Sequence, residues 1–293
     1  METILVIGAG FMGSGIAQVC AQAGFKVRLV DVNREALDMA MGRIKWSVEK
    51  LVTKGIVKES PQTILDRIKP EEGLKSAEEV DWVIEAVLEI EDLKHEIFQE
   101  LDRLAPDHTP LATNTSSIPI TRIAQVTRHP ERVLGLHFFG PVPLMGLVEV
   151  VKGEKTSEEI FERGVDLVRS VGKTPVRVKQ DIPGFVMNRI FSAAFREAVD
   201  LVADGVVSPE DADVGMRVGY GWNAGPFEIA DNAGLDTLVL IGKSMKGLGE
   251  ETLNPRSDLI ERMVKQGRLG RKVGKGFYRY TPEGKRIPWD END

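Results

Sequence analysis

A glycine-rich hexapeptide near the start of the chain limits the possible folds more than any other segment. Residues Gly8–Gly13 read GAGFMG, follow the apolar run Ile4–Gly8 and open a helical pattern. At this spacing Gly8 allows a tight turn, Gly10 lets the backbone approach a pyrophosphate, and Gly13 lets the helix pack closely on the strand. The N–H groups at the start of such a helix favour a bound anion. The motif therefore predicts a dinucleotide-binding loop that comprises Gly8, Ala9, Gly10, Phe11, Met12 and Gly13.

An acidic residue at the end of the next apolar run supports the same interpretation. Asp31 closes the run Val27–Asp31, at about the 20-residue distance beyond the glycine loop that dinucleotide sites use. A carboxylate there accepts hydrogen bonds from both ribose hydroxyls and repels a 2′-phosphate, which favours NAD over NADP. The alternative is a glycine-rich turn without a ligand, and the strand, the helix and the acidic residue together argue against it.

The first half of the chain alternates short apolar runs with amphipathic stretches. Runs rich in Val, Ile and Leu are typical of strands buried on both faces, whereas Glu91–Leu104 has its apolar residues at helical spacing. This alternation predicts a parallel sheet with helices on both faces. Two further predicted helices, Leu37–Lys54 and Ser60–Ile68, form an insertion that we expect to reach a ligand. The predicted strands are Ile4–Gly8, Val27–Asp31, Trp82–Val87, Pro110–Thr113, Val133–Phe138 and Val148–Val151.

The apolar pattern becomes almost wholly helical after the Pro183-Gly184 pair. Ser208-Pro209 has the form of a helix start, with Ser208 as N-cap and Pro209 at the first helical position. We therefore predict an α/β domain over residues 1–182 and a helical domain over residues 183–293. The predicted helices of the second domain are Phe185–Asp204, Pro209–Val218, Gly225–Leu248 and Arg256–Gln266.

The composition narrows the class of function. The chain has 293 residues and a formal net charge of −7, without the basic stripe of a nucleic-acid-binding protein. Its single cysteine, Cys20, excludes an intrachain disulfide, and no Cys/His group has the spacing of a zinc site. No apolar run is long enough to span a membrane. We expect a soluble protein of the cytoplasm, or a mature matrix protein, that binds neither nucleic acid nor membrane.

Four polar residues lie where the predicted elements can bring them together. Ser116 follows one strand, His137 ends another, Glu149 lies within a third, and Asn188 is near the start of the helical domain. The carboxyl ends of the strands line the ligand crevice in a sheet of this type. Each residue also has an ordinary interpretation as a core histidine, a turn residue or a helix cap. Glu149 between two valines is the oddest, because a buried carboxylate needs a partner.

Six segments spread over nearly the whole chain resemble the L-3-hydroxyacyl-CoA dehydrogenase family, nearest to its short-chain 3-hydroxybutyryl-CoA type. The resemblance implies an α/β fold with a Rossmann-like doubly wound parallel sheet and a second, all-helical C-terminal domain. It also implies NAD as cofactor, an acyl-CoA substrate and a homodimer formed through the helical domain. The segments are GAGFMGSGIA, NTSSIPIT, GLHFFGPVPLMGLVEVV, DIPGFVMNR, AGPFEIADNAGLD and LGRKVGKGFY.

The same resemblance implies roles for individual residues. His137 matches the family's catalytic histidine, and Glu149 matches the carboxylate paired with it. Ser116 and Asn188 match polar residues that contact the substrate oxygen. Ser47 and Lys54, both in the helical insertion, match positions that contact coenzyme A. The positions that match residues around the dinucleotide are Gly8, Gly10, Gly13, Asp31, Glu89, Lys94, Ser116 and Lys272.

The chain departs from the family pattern in the segment between His137 and Glu149. Gly140 stands where Asn is common, and Gly146 stands where Lys is common. Both changes remove a polar group near the predicted site, so the acyl group stays open: longer, branched, cyclic or dicarboxylic.

Two rival interpretations keep the fold. A dehydrogenase of a free hydroxy acid would not need Ser47 and Lys54. A non-catalytic NAD-binding protein would not need both His137 and Glu149.

Overall fold

The structure is a computed structural model that describes residues 2–247, 249–250 and 254–287. The chain forms two compact units that divide between Phe185 and Val186. The division lies three residues beyond the domain boundary predicted after residue 182. Each unit has its own hydrophobic core, as expected for a chain of this length.

The N-terminal unit is built on an eight-stranded sheet in the order β3-β2-β1-β4-β5-β6-β7-β8. Its first six strands follow the doubly wound order. Successive strands are added on one side of β1 as far as β3 and then on its other side from β4 onward, which leaves a ligand crevice between β1 and β4. All pairings are parallel except that of β6 with β7. The strands are β1 Thr3–Ile7, β2 Lys26–Val30, β3 Ile68–Glu71, β4 Trp82–Glu85, β5 Leu111–Thr113, β6 Val133–Phe138, β7 Leu147–Val151 and β8 Thr174–Val178.

Six helices accompany this sheet. Side-chain caps fix several of their starts: Asn33 accepts a hydrogen bond from the Glu35 amide, and Ser157 accepts one from the Ile160 amide. The helices are α1 Phe11–Gln22, α2 Arg34–Thr53, α3 Pro61–Leu65, α4 Glu91–Leu104, α5 Ile120–Ala124 and α6 Glu158–Ser170. Buried apolar side chains from one face of the sheet form a continuous core with those of α1, α2, α3 and α6, whereas α4 and α5 bury their apolar side chains outside this cluster.

The predicted fold class is confirmed, and two of its details change. All six predicted strands are present, but the edge strands β3 and β8 were missed. Both contain a proline and are only partly buried, so they lack the apolar run by which a central strand is recognised. β3 also begins at Ile68, the last residue of the predicted helix Ser60–Ile68, which in fact ends at Leu65. β7 runs antiparallel to β6 because the intervening loop, residues 139–146, is too short for a parallel crossover.

The C-terminal unit is mainly helical, with an aromatic core around Phe195, Phe227 and Phe277. The predicted single helix Gly225–Leu248 was wrong, because Gly234 at φ 94° separates two helices; Leu248 lies outside the described residues. A two-stranded hairpin, which the prediction of an all-helical domain did not include, follows the helices. The elements are α7 Met187–Ala203, α8 Pro209–Tyr220, α9 Pro226–Ala233, α10 Leu235–Gly247, α11 Leu259–Lys265, β9 Arg279–Tyr280 and β10 Arg286–Ile287.

Candidate active site

The glycine loop between β1 and α1 has the geometry that close packing requires. Gly8 has φ 99°, and a Cβ atom there would lie 2.5 Å from the carbonyl oxygen of Ala86. A Cβ atom on Gly13 would collide with the carbonyl oxygen of Gly8. A Cβ atom on Gly10, in contrast, would meet nothing within 4 Å. Two of the glycines are therefore required by the fold, and the middle one leaves the start of α1 open to a ligand.

The residues around the start of α1 fit a dinucleotide. Gly10 is the N-cap of α1 and offers no side-chain acceptor to the first-turn N–H groups, so an anion can take that place. Asp31, just after β2, accepts hydrogen bonds from the amides of Ala9 at 2.7 Å and Asn33 at 2.9 Å. These bonds fix the carboxylate beside the glycine loop, and each oxygen keeps a lone pair for a ribose hydroxyl.

A buried ion pair joins helix α4 to the end of strand β4. Lys94 of α4, which is 1% exposed, places its Nζ 2.5 Å from Oε1 of Glu85 at the end of β4. The Lys94 Nζ is also 3.4 Å from Oε2 of Glu89, and Thr113 donates its hydroxyl to Glu85. Glu85 was not among the residues predicted from the sequence. An acidic residue inside the buried run of β4, nine positions before a lysine, was the available signal.

Glu89 organises the segment that carries Ser116. Its Oε1 accepts hydrogen bonds from the amides of Ser116 at 3.0 Å and Ser117 at 3.1 Å, and from the hydroxyls of Ser117 and Thr115. Desolvation would raise the pKa of Glu89, but the Lys94 ammonium and these hydrogen bonds outweigh it and lower the pKa. Glu89 therefore stays ionised and holds Ser116 at the carboxyl edge of the sheet.

His137 and Glu149 are opposite each other in the β6–β7 ladder. Their side chains meet, with His137 Nδ1 2.7 Å from Glu149 Oε2. His137 is 6% exposed and Glu149 is fully buried. Because a carboxylate only accepts, Nδ1 carries the proton, and Nε2 is the ring nitrogen left to exchange a proton with a substrate. The rings of Phe139 and Phe185, 4.5 Å and 5.7 Å from the imidazole centroid to centroid, restrict its movement.

The predicted site residues of the C-terminal unit lie on two different elements. Asn188 is the second residue of α7 and is partly buried. Lys272 lies in a short 3-10 turn, where its Nζ is 2.6 Å and 2.7 Å from the two carboxylate oxygens of Asp236. Their roles remain predictions.

A cavity of about 390 Å³ opens between α1, α2 and the loop 139–146. Ser47 and Lys54 both line it. Gln18, 2% exposed, also lines it, and its amide nitrogen is buried without a hydrogen-bond partner. A buried amide without a partner is costly, which fits a cavity that a polar ligand completes. Ser14 and Gly15 of α1 also line it, and the other lining side chains are apolar or cationic: Phe11, Arg43, Ile44, Trp46, Lys50, Leu51, Ile56, Pro141, Val142, Pro143 and Leu144.

The two glycines that depart from the family pattern differ in their surroundings. A Cβ atom on Gly140 would lie 2.8 Å from Cε1 of Phe11, so the phenylalanine ring already fills the space beside this glycine. A Cβ atom on Gly146 would meet nothing within 4 Å. Gly140 therefore does not enlarge the cavity, whereas Gly146 leaves open space.

Neither a bilayer-spanning helix nor a metal-ligating cluster occurs among the described residues. No helix there combines the length and apolarity needed to cross a membrane. No group of three or more His, Cys, Asp or Glu side chains in the same part of the chain is arranged to hold a metal ion.

Comparison with known proteins agrees with the fold. A probable 3-hydroxybutyryl-CoA dehydrogenase of Bacillus subtilis is 45% identical over 96% of this chain and 98% of its own. The human mitochondrial hydroxyacyl-coenzyme A dehydrogenase is 40% identical over 96% of this chain and 91% of its own. The crystal structure of (S)-3-hydroxybutyryl-CoA dehydrogenase PaaH1 from Ralstonia eutropha superposes with a TM-score of 0.88 at 37% identity, over 96% of this chain and 99% of that one.

The fold and the glycine loop define a dinucleotide-binding α/β protein, and the family models make the class specific. The NAD binding domain of 3-hydroxyacyl-CoA dehydrogenase matches residues 3–182, and the C-terminal domain of the same family matches residues 184–280. The chain belongs to the 3-hydroxyacyl-CoA dehydrogenase family, as its sequence motifs predicted.

Proposed function

We propose that this protein interconverts 3-hydroxyacyl-CoA and 3-oxoacyl-CoA with NAD as cofactor. The observation that carries the proposal is the buried pair of His137 and Glu149, joined at 2.7 Å on adjacent strands. A buried histidine with one nitrogen held by a carboxylate and the other free to exchange a proton is suited to general acid–base catalysis. Membership in the family and the cavity at Ser47 and Lys54 support the choice of substrate.

In the oxidation direction the protein moves one proton and stabilises the charge that results. NAD, when bound, supplies the acceptor for the hydride that leaves carbon 3. His137 takes the hydroxyl proton on Nε2, because Nδ1 already donates to Glu149. Glu149 then stabilises the imidazolium and holds its orientation. We assign Ser116 and Asn188 to hold the substrate oxygen as it becomes a carbonyl. In reduction His137 acts as the acid.

The cofactor assignment rests on the N-terminal unit. We assign the glycine loop to the pyrophosphate and Asp31 to the ribose hydroxyls. Lys94 supports this region through its buried ion pair with Glu85, and Glu89 supports it through its hydrogen bonds to the Ser116 segment. Lys272 is assigned to the cofactor from the family pattern.

The cavity described above is assigned to coenzyme A. Lys54 supplies a cation for a phosphate, and Ser47 supplies a hydroxyl. The apolar walls suit the uncharged part of the carrier. A dehydrogenase of a free hydroxy acid would have no use for this combination.

The reaction is tested by oxidation of NADH with three substrates: acetoacetyl-CoA, the acetoacetyl thioester of N-acetylcysteamine, and free acetoacetate. We expect the CoA ester to react with the largest kcat/KM. Preference for the free acid would support the rival hydroxy-acid dehydrogenase. Tight NADH binding without turnover on a panel of straight, branched and dicarboxylic 3-oxoacyl-CoA esters would support a non-catalytic protein.

We also propose that the C-terminal unit forms a homodimer. Large apolar side chains are exposed there, with Val218 at 82%, Tyr220 at 79%, Leu240 at 66% and Ile190 at 55%. A second copy of the chain could bury these side chains, and the resemblance to the family implies such a dimer. Light scattering after gel filtration tests the assembly, and a monomer mass at micromolar concentration would contradict it.

We propose a reducing compartment such as the cytoplasm. The chain has one cysteine, so no intrachain disulfide supports the fold, as is usual for proteins of reducing compartments. Cys20 is also fully buried, and burial raises the pKa of its thiol to about 12. A protonated, inaccessible thiol forms no disulfide. Fractionation of the source cells tests the location.

A further inference from the structure

A buried lysine outside the site described above contacts the loop between the two proposed catalytic strands. Lys173, directly before β8, is only 9% exposed. Its Nζ donates hydrogen bonds to the carbonyl oxygens of Val142 at 2.7 Å and Met145 at 2.6 Å. The next residue, Thr174, donates its amide to the carbonyl of Gly146 at 2.7 Å. The loop 139–146 is therefore held from inside the molecule at three carbonyl groups.

The opposite side of this loop faces the cofactor helix and the cavity. A Cβ atom on Gly15 of α1 would lie 2.8 Å from Cβ of Val142, so helix and loop are in close contact. Pro141, Val142, Pro143 and Leu144 line the cavity that also contains Ser47 and Lys54. Leu144 is 69% exposed, so the loop presents its apolar side chain outward.

The loop needs a support of this kind because it has little internal bonding. The amides of Leu144 and Met145 both donate to the carbonyl of Pro141, which leaves the carbonyls of Val142 and Met145 to Lys173. Burial lowers the pKa of Lys173, since desolvation disfavours its charge. A buried ammonium is costly, and hydrogen bonds from a charged donor are the strongest available compensation.

We propose that Lys173 is a positioning residue for the acyl-CoA substrate. Its ammonium group holds the loop 139–146 in the conformation that forms one wall of the coenzyme A cavity, across from Ser47 and Lys54. The assignment rests on the proposed function, because it takes the cavity to be the coenzyme A site. The position of the loop is a property of the fold and is measured separately.

The first experiment measures the loop without reference to activity. Lys173→Met keeps the apolar stem and removes the donors, so the amides of Leu144 and Met145 should exchange hydrogen for deuterium roughly tenfold faster. The matched control is Lys179→Met, the same change at an exposed lysine near the end of β8, which should leave these amides unchanged. Lys173→Arg, which keeps a charged donor, should restore most of the protection. Unchanged exchange in Lys173→Met would overturn the proposal.

The second experiment separates substrate positioning from general damage. In Lys173→Met the KM for acetoacetyl-CoA should rise roughly tenfold, while the KM for the N-acetylcysteamine thioester and the dissociation constant of NADH stay within about twofold. Equal losses with both thioesters would mean a merely structural role and would overturn the proposal. If Lys173→Met does not fold, Lys173→Gln decides by the same criteria, because its amide is uncharged and one bond shorter than the lysine chain, so it does not reproduce the two charged hydrogen bonds to Val142 and Met145.

If wild-type protein has no activity with CoA esters, the proposed function fails, and the exchange experiment still decides whether Lys173 holds the loop. Binding of coenzyme A itself, measured by calorimetry in wild type and Lys173→Met, then tests the cavity. A loop that loosens without any change in coenzyme A affinity would overturn the role in substrate positioning.

Discussion

The two units of the chain stabilise their buried carboxylates in different ways. In the N-terminal unit the partners are basic side chains. Glu85 is 2.5 Å from the Lys94 ammonium, and Glu149 is 2.7 Å from the His137 imidazole. All four side chains are nearly inaccessible to solvent. Each acid thus faces a group that carries or can take up a positive charge.

In the C-terminal unit, one buried acid, Asp200, is paired with Arg256 at 3.1 Å, whereas mainly neutral donors surround the other two described there, Asp213 and Asp231. Asp213 accepts hydrogen bonds from the Phe227 amide at 2.8 Å and from the Tyr278 hydroxyl at 2.7 Å. Asp231 accepts them from the Tyr278 amide at 2.9 Å and the Tyr280 hydroxyl at 3.0 Å. Burial raises the pKa of both aspartates, and the hydrogen bonds only partly oppose it.

This difference distinguishes acids that can take part in a reaction from acids that hold the fold together. An acid paired with a titratable base can stabilise a charge that appears during a reaction, as we propose for Glu149. An acid that gathers amide and hydroxyl donors from distant segments fixes those segments to each other. Asp231 joins α9 to the strand β9 and the residues before it in this way. The aspartates should therefore affect stability and the pair should affect turnover.

The largest expected effect is on stability in the C-terminal unit. Asp231→Ala removes the acceptor of three buried donors, namely the amides of Phe277 and Tyr278 and the hydroxyl of Tyr280. We expect the free energy of unfolding to fall by about 4 kcal/mol, since each unsatisfied buried donor costs about 1–3 kcal/mol. Urea unfolding measures the loss. A change below about 1 kcal/mol would show that the donors find water instead.

Next in size is the effect on turnover in the catalytic pair. His137→Gln should lower kcat roughly 100-fold, as expected for the loss of general acid–base catalysis. Glu149→Gln should lower kcat as well, because orientation and charge stabilisation are lost together. The double variant should be far less impaired than the product of the single effects, since the residues act as a unit.

The control for the catalytic pair is cofactor binding. The glycine loop and Asp31 are untouched in all three variants, so NADH should bind with a dissociation constant within about twofold of wild type. A fully active His137→Gln would remove the mechanism while leaving the fold intact. If the His137 or Glu149 variants lowered the free energy of unfolding as much as Asp231→Ala does, the contrast between the two units would not hold.

A variant of Asp31 tests a third role for a carboxylate of the N-terminal unit, the choice between NADH and NADPH. Asp31→Ala should weaken NADH binding and narrow the gap to NADPH, because the carboxylate no longer receives the ribose hydroxyls or repels a 2′-phosphate. We expect roughly tenfold weaker NADH binding, the loss of about one charge-assisted hydrogen bond. Wild-type protein that uses NADPH as efficiently as NADH would contradict the assignment of Asp31.

The sequence predicted the parts of the site that depend on local pattern. The glycine loop and Asp31 are recognised because the turn, the helix start and the strand end each require a particular residue type. Glu149 was recognised as anomalous in an apolar strand, but its register opposite His137 depends on the antiparallel turn of β7. The resemblance to the family supplied that pairing.

The residues that were missed act over long distances in the sequence. Lys173 contacts a loop about 30 positions earlier, and no local pattern distinguishes it from a surface lysine. Gln18 was not singled out in the sequence, and its missing hydrogen-bond partner is visible only in the cavity. Glu85 is the exception, because it lies only nine positions before Lys94 and its charge within an apolar strand was a usable signal.

The smallest expected effect is a difference in how stability responds to pH. Asp102, whose carboxylate is 2.9 Å from an Arg132 nitrogen, has a pKa well below the ordinary 3.8, because hydrogen bonds from Arg128 and Arg132 outweigh the effect of burial. Its ionised form stabilises the fold above pH 3.8, and this contribution is lost as the pH falls below it. Asp231 has a raised pKa, so its contribution is complete below 3.8 and is lost as the pH rises through its folded-state pKa.

The stability lost on replacing each aspartate by asparagine should therefore change with pH in opposite directions for Asp102 and Asp231. His129 Nδ1 lies 3.2 Å from Asp102, so the Asp102 comparison is made with His129→Gln in both proteins. In that background the stability difference between Asp102 and Asp102→Asn should shrink between about pH 7 and about pH 4, by about 0.3 kcal/mol, because the unfolded carboxylate begins to bind a proton. The difference between wild type and Asp231→Asn should grow over the same range, because the folded protein binds the proton first. Urea midpoints of these proteins at the two pH values measure both. If both stability differences changed with pH in the same direction, Asp102 and Asp231 would be stabilised in the same way. The contrast between acids paired with basic side chains and acids bonded to neutral donors would then not hold.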